Sequence, residues 1–241
     1  TQDIPDQTMT DLKNTNQNGY KAGFVAVMGR PNVGKSTLIN ALLGQTIAAV
    51  SSKPQTTRKR QLGILELENA QIIFTDTPGL HRPRHKLGEF MNKEASEALE
   101  GVDLCLLIVD ASLPPHEEDR IAAGTILQAS RALPAILALN KIDRITPDEL
   151  EERRPLYQAL LPKAQTVSLS ALNLQGLDNL LEMILTALPE HPPYYPAEQV
   201  TDWYERDIAA DLIRAAAMEH LQEELPHCIA VRMDEYRERG E

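Results

Sequence analysis

The stretch GRPNVGKST, residues 29–37, determines how the rest of the chain is interpreted. It matches the pattern G-x-x-x-x-G-K-[ST], in which a Gly-rich turn cradles a chain of phosphates. A short apolar run, GFVAVM at 23–28, comes before it, and a helical pattern starts at about Thr37. This motif requires a strand before it and a helix after it. The stretch therefore predicts a phosphate-binding loop, and a glycine turn that only caps a helix is the simpler alternative.

Each fixed residue of this segment, called the phosphate loop below, has a physical task. Gly29 and Gly34 let the backbone curl so that its N–H groups point at phosphate oxygens. Lys35 can reach the outer phosphates, and Ser36 offers a hydroxyl to Mg²⁺. The helix that follows adds the positive end of its dipole to the anion site.

Six apolar runs alternate with helical patterns in the first four fifths of the chain. The runs are GFVAVM (23–28), LGILEL (62–67), AQIIFT (70–75), DLCLLIVD (103–110), PAILALN (134–140) and AQTVSL (164–169), and the helical candidates are 37–43, 86–99, 117–130, 148–161 and 176–188. This alternation predicts an α/β fold with a mostly parallel sheet covered on both faces. The second and third runs are too close for a parallel crossover, so we expect a hairpin and a mixed six-stranded sheet.

Two more motifs fall where predicted strands end. Asp76 closes the run AQIIFT, and Gly79 follows it in DTPG. A carboxylate at this place can support Mg²⁺, and a glycine can approach a terminal phosphate closely. Each residue is also typical of an ordinary turn, so the pattern is informative only in this order along the fold.

The motif NKID begins at Asn140, at the end of the run PAILALN. The Asp143 carboxylate can accept hydrogen bonds from the ring N–H and the exocyclic amine of guanine, a donor pair that adenine lacks. Asn140 can brace the loop, and Lys141 can lie along the base. In SAL, after the last run, the N–H of Ala171 can meet a base carbonyl. A helix-entry turn is the simpler interpretation of NKID alone.

The composition is that of an ordinary globular protein. The 241 residues include 42% hydrophobic and 24% charged residues, with a net charge of −11. This charge argues against broad binding of nucleic acid by electrostatics alone. Residues 1–20 are polar and contain no apolar core, so we expect a disordered arm rather than a signal peptide. No apolar run approaches the length of a membrane span, and Cys105 lies in an apolar run typical of a buried strand.

The composition changes near the end of the last helical candidate. Residues 190–203 are rich in proline and read as a linker, 204–224 have helical periodicity, and 227–236 alternate as a strand. One helix and one strand are too little for an independent core. We therefore expect a disordered arm at 1–20, a main domain at 21–189, a linker at 190–203 and an incomplete α+β unit at 204–241.

Together the four motifs resemble the GTPase motif set. With PQTTR, the YYP…QVTD linker and an ELP-x-x-x-AV step, the chain from about 20 to 241 resembles the bacterial Era family. The resemblance implies a Ras-like P-loop GTPase domain followed by a KH-type domain. It also implies a GTP-dependent switch that binds small-subunit ribosomal RNA and assists assembly of the 30S subunit. A monomer is expected in the cytoplasm, with peripheral association with the inner membrane as a further implication.

The tail departs from the family pattern. KH domains grip the nucleic-acid backbone with a GXXG loop, and after residue 208 the only glycine is Gly240. We therefore expect residues 204–241 to be a partial KH-type unit that lacks this loop.

The resemblance also assigns site residues. Catalytic roles fall to Lys35, Thr57, Gly79 and Asn32, and Mg²⁺ contacts to Ser36, Thr57 and Asp76, with Thr56 as the alternative to Thr57. The nucleotide contacts expected are Gly29, Arg30, Pro31, Asn32, Val33, Gly34, Lys35, Ser36, Thr37, Asp76, Thr77, Pro78, Gly79, Leu80, Asn140, Lys141, Asp143, Ser170, Ala171 and Leu172.

Leu80 raises the question of how water is activated. Many phosphate-hydrolysing switches carry a glutamine at this position, and leucine cannot orient water. Asn32, in the phosphate loop, can offer a side-chain carbonyl to a monovalent cation, as in potassium-stimulated relatives; a purely local bracing role is the alternative. We therefore expect slow, Mg²⁺-dependent hydrolysis stimulated by K⁺. The other hypothesis is a nucleotide-dependent binding module with negligible turnover.

Overall fold

The computed structural model describes residues 19–50, 61–80, 90, 93, 95–129, 133–220 and 229–235. Its strands are β1 (Lys21–Met28), β2 (Gln61–Leu67), β3 (Ala70–Asp76), β4 (Leu104–Asp110), β5 (Ala135–Asn140) and β6 (Gln165–Ser168). Its helices are α1 (Lys35–Leu43), α2 (Glu117–Leu127), α3 (Pro147–Gln158), α4 (Leu177–Ala187) and α5 (Glu205–His220), and a short 3₁₀ turn spans Ile142–Arg144.

The six strands form one sheet in the order β2-β3-β1-β4-β5-β6. β1 runs parallel to β3 and β4, β5 runs parallel to β4 and β6, and β2 alone is antiparallel, paired with β3. The predicted mixed, mostly parallel sheet and its hairpin are therefore confirmed. β3 and β4 are buried along their whole length, and β4 is correspondingly apolar up to its last residue.

Helices cover both faces of the sheet. One apolar cluster lies under α1 and α4, and a second, which includes Cys105, lies under α2 and α3. Local signals place the helix starts, since α3 begins at a Thr146 capping box with proline at its first position. The helix predicted at 86–99 falls largely outside the described residues.

The chain order brings the motif loops to one end of the sheet. In the parallel strands, Val27 is paired with Asp76, and Asp110 with Asn140, so the loops that follow these strands emerge side by side. We call this end, where β1, β3, β4, β5 and β6 terminate, the carboxyl edge. It is where open α/β sheets bind ligands.

The linker at 190–203 packs along the β2 side of the sheet. Backbone N–H groups of Tyr194 and Tyr195 donate to the Gln71 side-chain oxygen at 2.8 and 3.0 Å. The Gln71 amide donates to the Tyr195 carbonyl at 2.8 Å. On β2, the Ile64 N–H donates to the Val200 carbonyl at 2.7 Å, and the Leu62 N–H donates to Asp202 at 2.9 Å. The proline-rich segment is thus fastened to the domain that it leaves.

Two details of the sequence interpretation are corrected. The predicted strand at 227–236 is wrong for residues 229–235, which take no strand conformation, because no described strand lies beside them to complete a hydrogen-bond ladder. Tyr20, assigned to the arm, is buried and donates a hydrogen bond of 2.7 Å to Glu66. Residues 1–18 lie outside the described part. No helix among the described residues is long and apolar enough to cross a membrane.

Candidate nucleotide site

The phosphate loop is shaped by residues that tolerate a left-handed backbone. Gly34 has φ of 104°, and a Cβ there would lie 2.4 Å from the Asn140 side-chain nitrogen. Asn32 has φ of 62°, a conformation that asparagine adopts more readily than most residues. At Gly79 a Cβ would lie 2.6 Å from the Pro31 nitrogen. The close approach of these loops therefore depends on glycine at both places.

Lys35 is folded against the phosphate loop itself. It is only 6% exposed, and its Nζ donates to the carbonyls of Gly29 at 3.2 Å and Arg30 at 3.1 Å. Burial lowers the pKa of Lys35 to about 8, although the nearby Asp76 carboxylate opposes the shift. The ammonium is thus held at the mouth of the loop by weak acceptors, which phosphate oxygens can replace.

Ser36 and Asp76 form the candidate magnesium site. The Ser36 hydroxyl donates to Asp76 Oδ2 at 2.7 Å, and Asp76 is buried. A hydroxyl beside a carboxylate suits Mg²⁺, which prefers oxygen ligands and is usually bound by one or two protein groups plus substrate phosphates. The residues present therefore fit the ion. Thr56 and Thr57, the alternative further contacts, lie outside the described residues.

The segment after Asp76 is hydrogen-bonded to the end of β1 and to the first residue of the phosphate loop. The Thr77 hydroxyl donates to the Val27 carbonyl at 2.6 Å, and the Leu80 N–H donates to the Gly29 carbonyl at 3.1 Å. Leu80 is 2% exposed and belongs to the apolar cluster under α2 and α3. Its side chain is therefore part of the core, which agrees with the argument that it does not handle water.

Asn140 connects three loops. Its amide donates to the Val33 carbonyl at 2.7 Å, and its side-chain oxygen accepts from the Ala171 N–H at 3.0 Å. The residue is 3% exposed, so these bonds are shielded from water. The phosphate loop, the NKID segment and the SAL segment are thereby held in one arrangement.

The candidate base-recognition residue is Asp143. It is exposed, while the buried Ser170 donates its hydroxyl to Asp143 Oδ1 and accepts from the Asn173 N–H at 3.2 Å. A carboxylate oriented by a fixed hydroxyl is a suitable acceptor for paired donors on a base edge. Leu172, in contrast, is 69% exposed and makes no described contact with the other motif residues.

Sequence reasoning missed two acidic residues of this site. Asp110 ends β4, and Asp119 lies in the first turn of α2; both are buried and face the motif cations Arg30 and Lys141. Asp110 could have been found by the same rule as Asp76, a polar residue at the carboxyl end of a buried strand. Asp119 has only a helix-capping signal in the sequence, as the third residue after His116.

The fold and this edge of the sheet define a P-loop GTPase. Residues 24–141 match a sequence family described as "50S ribosome-binding GTPase". The GTPase Era of Carboxydothermus hydrogenoformans is 45% identical over 91% of this chain and 73% of that protein. GTPase Era of Clostridium botulinum is 42% identical over 88% of this chain and 71% of that protein. The chain belongs to the Era family of GTPases.

Solved structures of Era show the same fold. One, in complex with MgGDPNP and nucleotides 1506–1542 of 16S ribosomal RNA, is 39% identical with a TM-score of 0.80, over 86% of this chain and 70% of that chain. Another, a single-substitution variant of Aquifex aeolicus Era bound to GDP·AlF₄⁻, is 37% identical with a TM-score of 0.80 over the same shares. The predicted family and the Ras-like fold are thereby confirmed.

Proposed function

We propose that this chain is a Mg²⁺-dependent, potassium-stimulated GTPase that acts in the cytoplasm as a switch in small-subunit assembly. Membership of a GTPase family supports nucleotide hydrolysis as such. The observation that carries the finer proposal is the convergence of Lys35, Ser36, Asp76 and Asn140 at one edge of the sheet. The relatives with bound MgGDPNP and GDP·AlF₄⁻ support the nucleotide and the ion.

Binding is divided between two groups of residues. The phosphate loop and Lys35 would take the phosphates. Ser36 and Asp76, with Thr57 by resemblance, would hold Mg²⁺, and the bound ion would supply positive charge to the phosphates. Asp143 accepts from the guanine edge, and Lys141 covers the ring. The Ala171 N–H, predicted to meet the base carbonyl, donates to the Asn140 side chain instead. Adenine lacks the two donors that this carboxylate accepts from, so it forgoes hydrogen bonds that guanine makes, and guanine selectivity follows.

Hydrolysis depends on charge stabilisation rather than on an aligned side chain. In this proposal Lys35 and the Gly79 N–H stabilise negative charge on the terminal phosphate as its bond to the leaving oxygen breaks. The Arg30 side chain is engaged by two carboxylates of this chain, so it does not serve as a built-in arginine finger. Slow intrinsic turnover is the expected result.

Asn32 is proposed to supply a side-chain oxygen to a monovalent cation. It is exposed in the phosphate loop, and its backbone carbonyl accepts a hydrogen bond from Lys141 Nζ at 2.6 Å. That hydrogen bond fixes the backbone that carries the side chain. A cation there would provide the positive charge that an arginine finger provides in other switches.

The proposed macromolecular partner is small-subunit ribosomal RNA. The support is the related Era bound to a segment of 16S ribosomal RNA, whose chain is covered to 70%. The RNA contact would belong to residues 204–241 together with any complete KH-type unit. Peripheral membrane association stays a prediction of the resemblance.

The test measures phosphate release in single-turnover experiments with purified protein, in K⁺ and in Na⁺ at equal ionic strength. We expect measurable GTP hydrolysis that is faster in K⁺. Asn32→Ala and Asn32→Gly should both abolish the difference; the glycine variant controls for strain, because glycine accepts the left-handed backbone freely. Asn69→Ala, in the exposed β2–β3 turn, should leave it unchanged.

Equal rates in the two salts would remove the cation from the proposal. Binding of GTP without detectable phosphate release would favour the second candidate, a nucleotide-dependent binding module. The burial of Leu80 in the core favours that candidate, because no water-orienting side chain occupies the position after DTPG.

A further inference from the structure

Asp110 is the point where cations from two nucleotide-binding loops meet. Its Oδ2 lies 2.7 Å from Lys141 Nζ, in the NKID motif, and 3.9 Å from Arg30 Nη2, in the phosphate loop. Its Oδ1 accepts from the N–H of Ser112 at 3.1 Å and from the Ser112 hydroxyl. β4 lies between β1 and β5 in the sheet, so Asp110 stands between the two loops.

Asp119 holds the other side of Arg30. It is fully buried, its Oδ1 lies 3.3 Å from Arg30 Nε, and its Oδ2 accepts from the His116 N–H at 2.9 Å. The helix cap at His116 and the phosphate loop are thus joined through one carboxylate. Arg30 is directed toward α2 and β4 by these two ion pairs.

Two positive and two negative charges balance in the cluster of Arg30, Asp110, Asp119 and Lys141, of which the two aspartates are buried and the two cations partly buried. Burial by itself would raise the pKa of the Asp110 carboxyl, but hydrogen bonds from Lys141 and Ser112 lower it below its usual range. Burial raises the pKa of Asp119, against the opposing His116 and Arg30 interactions. Removing one member leaves another buried charge without its partner, which is costly.

The cluster also fixes the backbone of both loops. Lys141 Nζ donates to the Asn32 carbonyl at 2.6 Å as well as to Asp110. Asn32 and Lys141 both have left-handed backbones, with φ of 62° and 67°. A strained conformation persists only where its surroundings hold it. The Lys141 ammonium, oriented by Asp110, connects the backbone of Asn32 to the NKID segment and so stabilises both conformations.

We propose that Asp110 and Asp119 are positioning residues that fasten the phosphate loop to the base-recognition loop, so that binding of the phosphates and binding of the base reinforce each other. The inference rests on the proposed guanine-nucleotide site. Neither residue touches the nucleotide in it; Asp110 acts through Lys141, and Asp119 acts through Arg30. Their loss should accelerate nucleotide dissociation.

A double-mutant cycle with fluorescent GDP tests the coupling. Asp110→Asn should raise the dissociation constant about tenfold, mainly through faster release, since a charge-assisted hydrogen bond is lost. Lys141→Met keeps the aliphatic stem and removes the ammonium, and it should weaken binding at least as much. In the Lys141→Met background, Asp110→Asn should cause no further loss, because the carboxylate no longer has that partner.

Two controls separate positioning from general destabilisation. Asp103→Asn changes an aspartate just before β4, at the opposite end of the sheet, where it accepts from the Phe24 N–H at 2.9 Å; GDP release should not change. In Asp110→Asn the association rate of GDP should change little, so that the loss of affinity appears in the release rate. If Asp110→Asn does not fold, Ser112→Ala removes one bond to the same carboxylate and should show a smaller acceleration of release.

Asp119→Asn tests the second positioning residue by the same release measurement. It should accelerate GDP release, and in an Arg30→Met background it should have no further effect. Additive losses in either cycle would overturn the inference for that aspartate, as would an equal effect of Asp103→Asn. Failure of the parent protein to bind GDP would instead refute the proposed function itself. Tight parent binding with additive cycles would refute only the positioning roles.

Discussion

The carboxyl edge and the linker-covered side of the sheet are both held by polar contacts, but of different kinds. At the carboxyl edge, buried charged groups such as Lys35, Asp76 and Asp110 lie close together. Along β2 and β3, hydrogen bonds join Gln71 and two strand N–H groups to the linker, and all but the one to the exposed Asp202 carboxylate are between neutral groups. Buried charges cost stability unless they are paired, whereas matched neutral bonds contribute modestly. The first region is built to respond to a charged ligand, and the second to hold a segment in place.

The largest expected effect on ligand binding is confined to the carboxyl edge. Asp143→Asn should lower GTP affinity about hundredfold and favour xanthine nucleotides, because an amide matches their altered ring edge and not that of guanine. Competition binding with GTP, XTP and ATP measures this. Asp148→Asn, an exposed change at the start of α3, is the matched control. Equal ATP and GTP affinity in the parent protein would contradict the assignment of Asp143.

A second substitution at the carboxyl edge tests whether Leu80 serves stability or catalysis. Leu80→Ala should lower the free energy of unfolding by about 2–5 kcal/mol, because it leaves a cavity under α2 and α3. The single-turnover rate of the folded variant should stay within about twofold, as the side chain points into the core. Leu104→Ala is the control: it lies at the amino end of β4, away from the carboxyl edge, and should lower the free energy of unfolding by a similar amount. A much slower chemical step for Leu80→Ala alone would place Leu80 in catalysis.

The smallest expected effect is a loss of stability at the linker-covered side of the sheet. Gln71→Ala removes the acceptor for the Tyr194 and Tyr195 N–H groups and should cost about 1–3 kcal/mol of unfolding free energy. GDP affinity should not change, because Gln71 lies in the half of β3 away from the carboxyl edge. Thermal unfolding measures the loss of stability, and limited proteolysis within 190–203 measures the release of the linker. Gln199→Ala serves as the control, because the described hydrogen bond of that side chain goes to the Thr201 carbonyl within the linker. Weakened GDP binding would mean that the two regions are coupled.

The residues of the carboxyl edge could be predicted from the sequence more completely than the contacts of the linker. The sheet and its motif loops could be predicted because buried parallel strands are continuously apolar and end in polar residues. The direction of Arg30 could not be predicted, since it depends on Asp119, whose visible signal is a helix cap. The docking of the linker was also missed, because Gln71 looks like any polar residue of a strand. The false strand near residue 230 followed from local alternation, which carries no information about a neighbouring strand.

The linker also bears on how copies of the protein behave toward one another. A strand at the edge of a sheet presents backbone groups that can pair with a second chain, and such pairing leads to aggregation. β6, at one edge, is only four residues long and offers little template. β2, at the other edge, has seven residues, and Val200 and Asp202 occupy its outward N–H groups at Ile64 and Leu62. The proline-rich segment is thus a cap against self-association, and a version of the chain cut before it would be prone to precipitate.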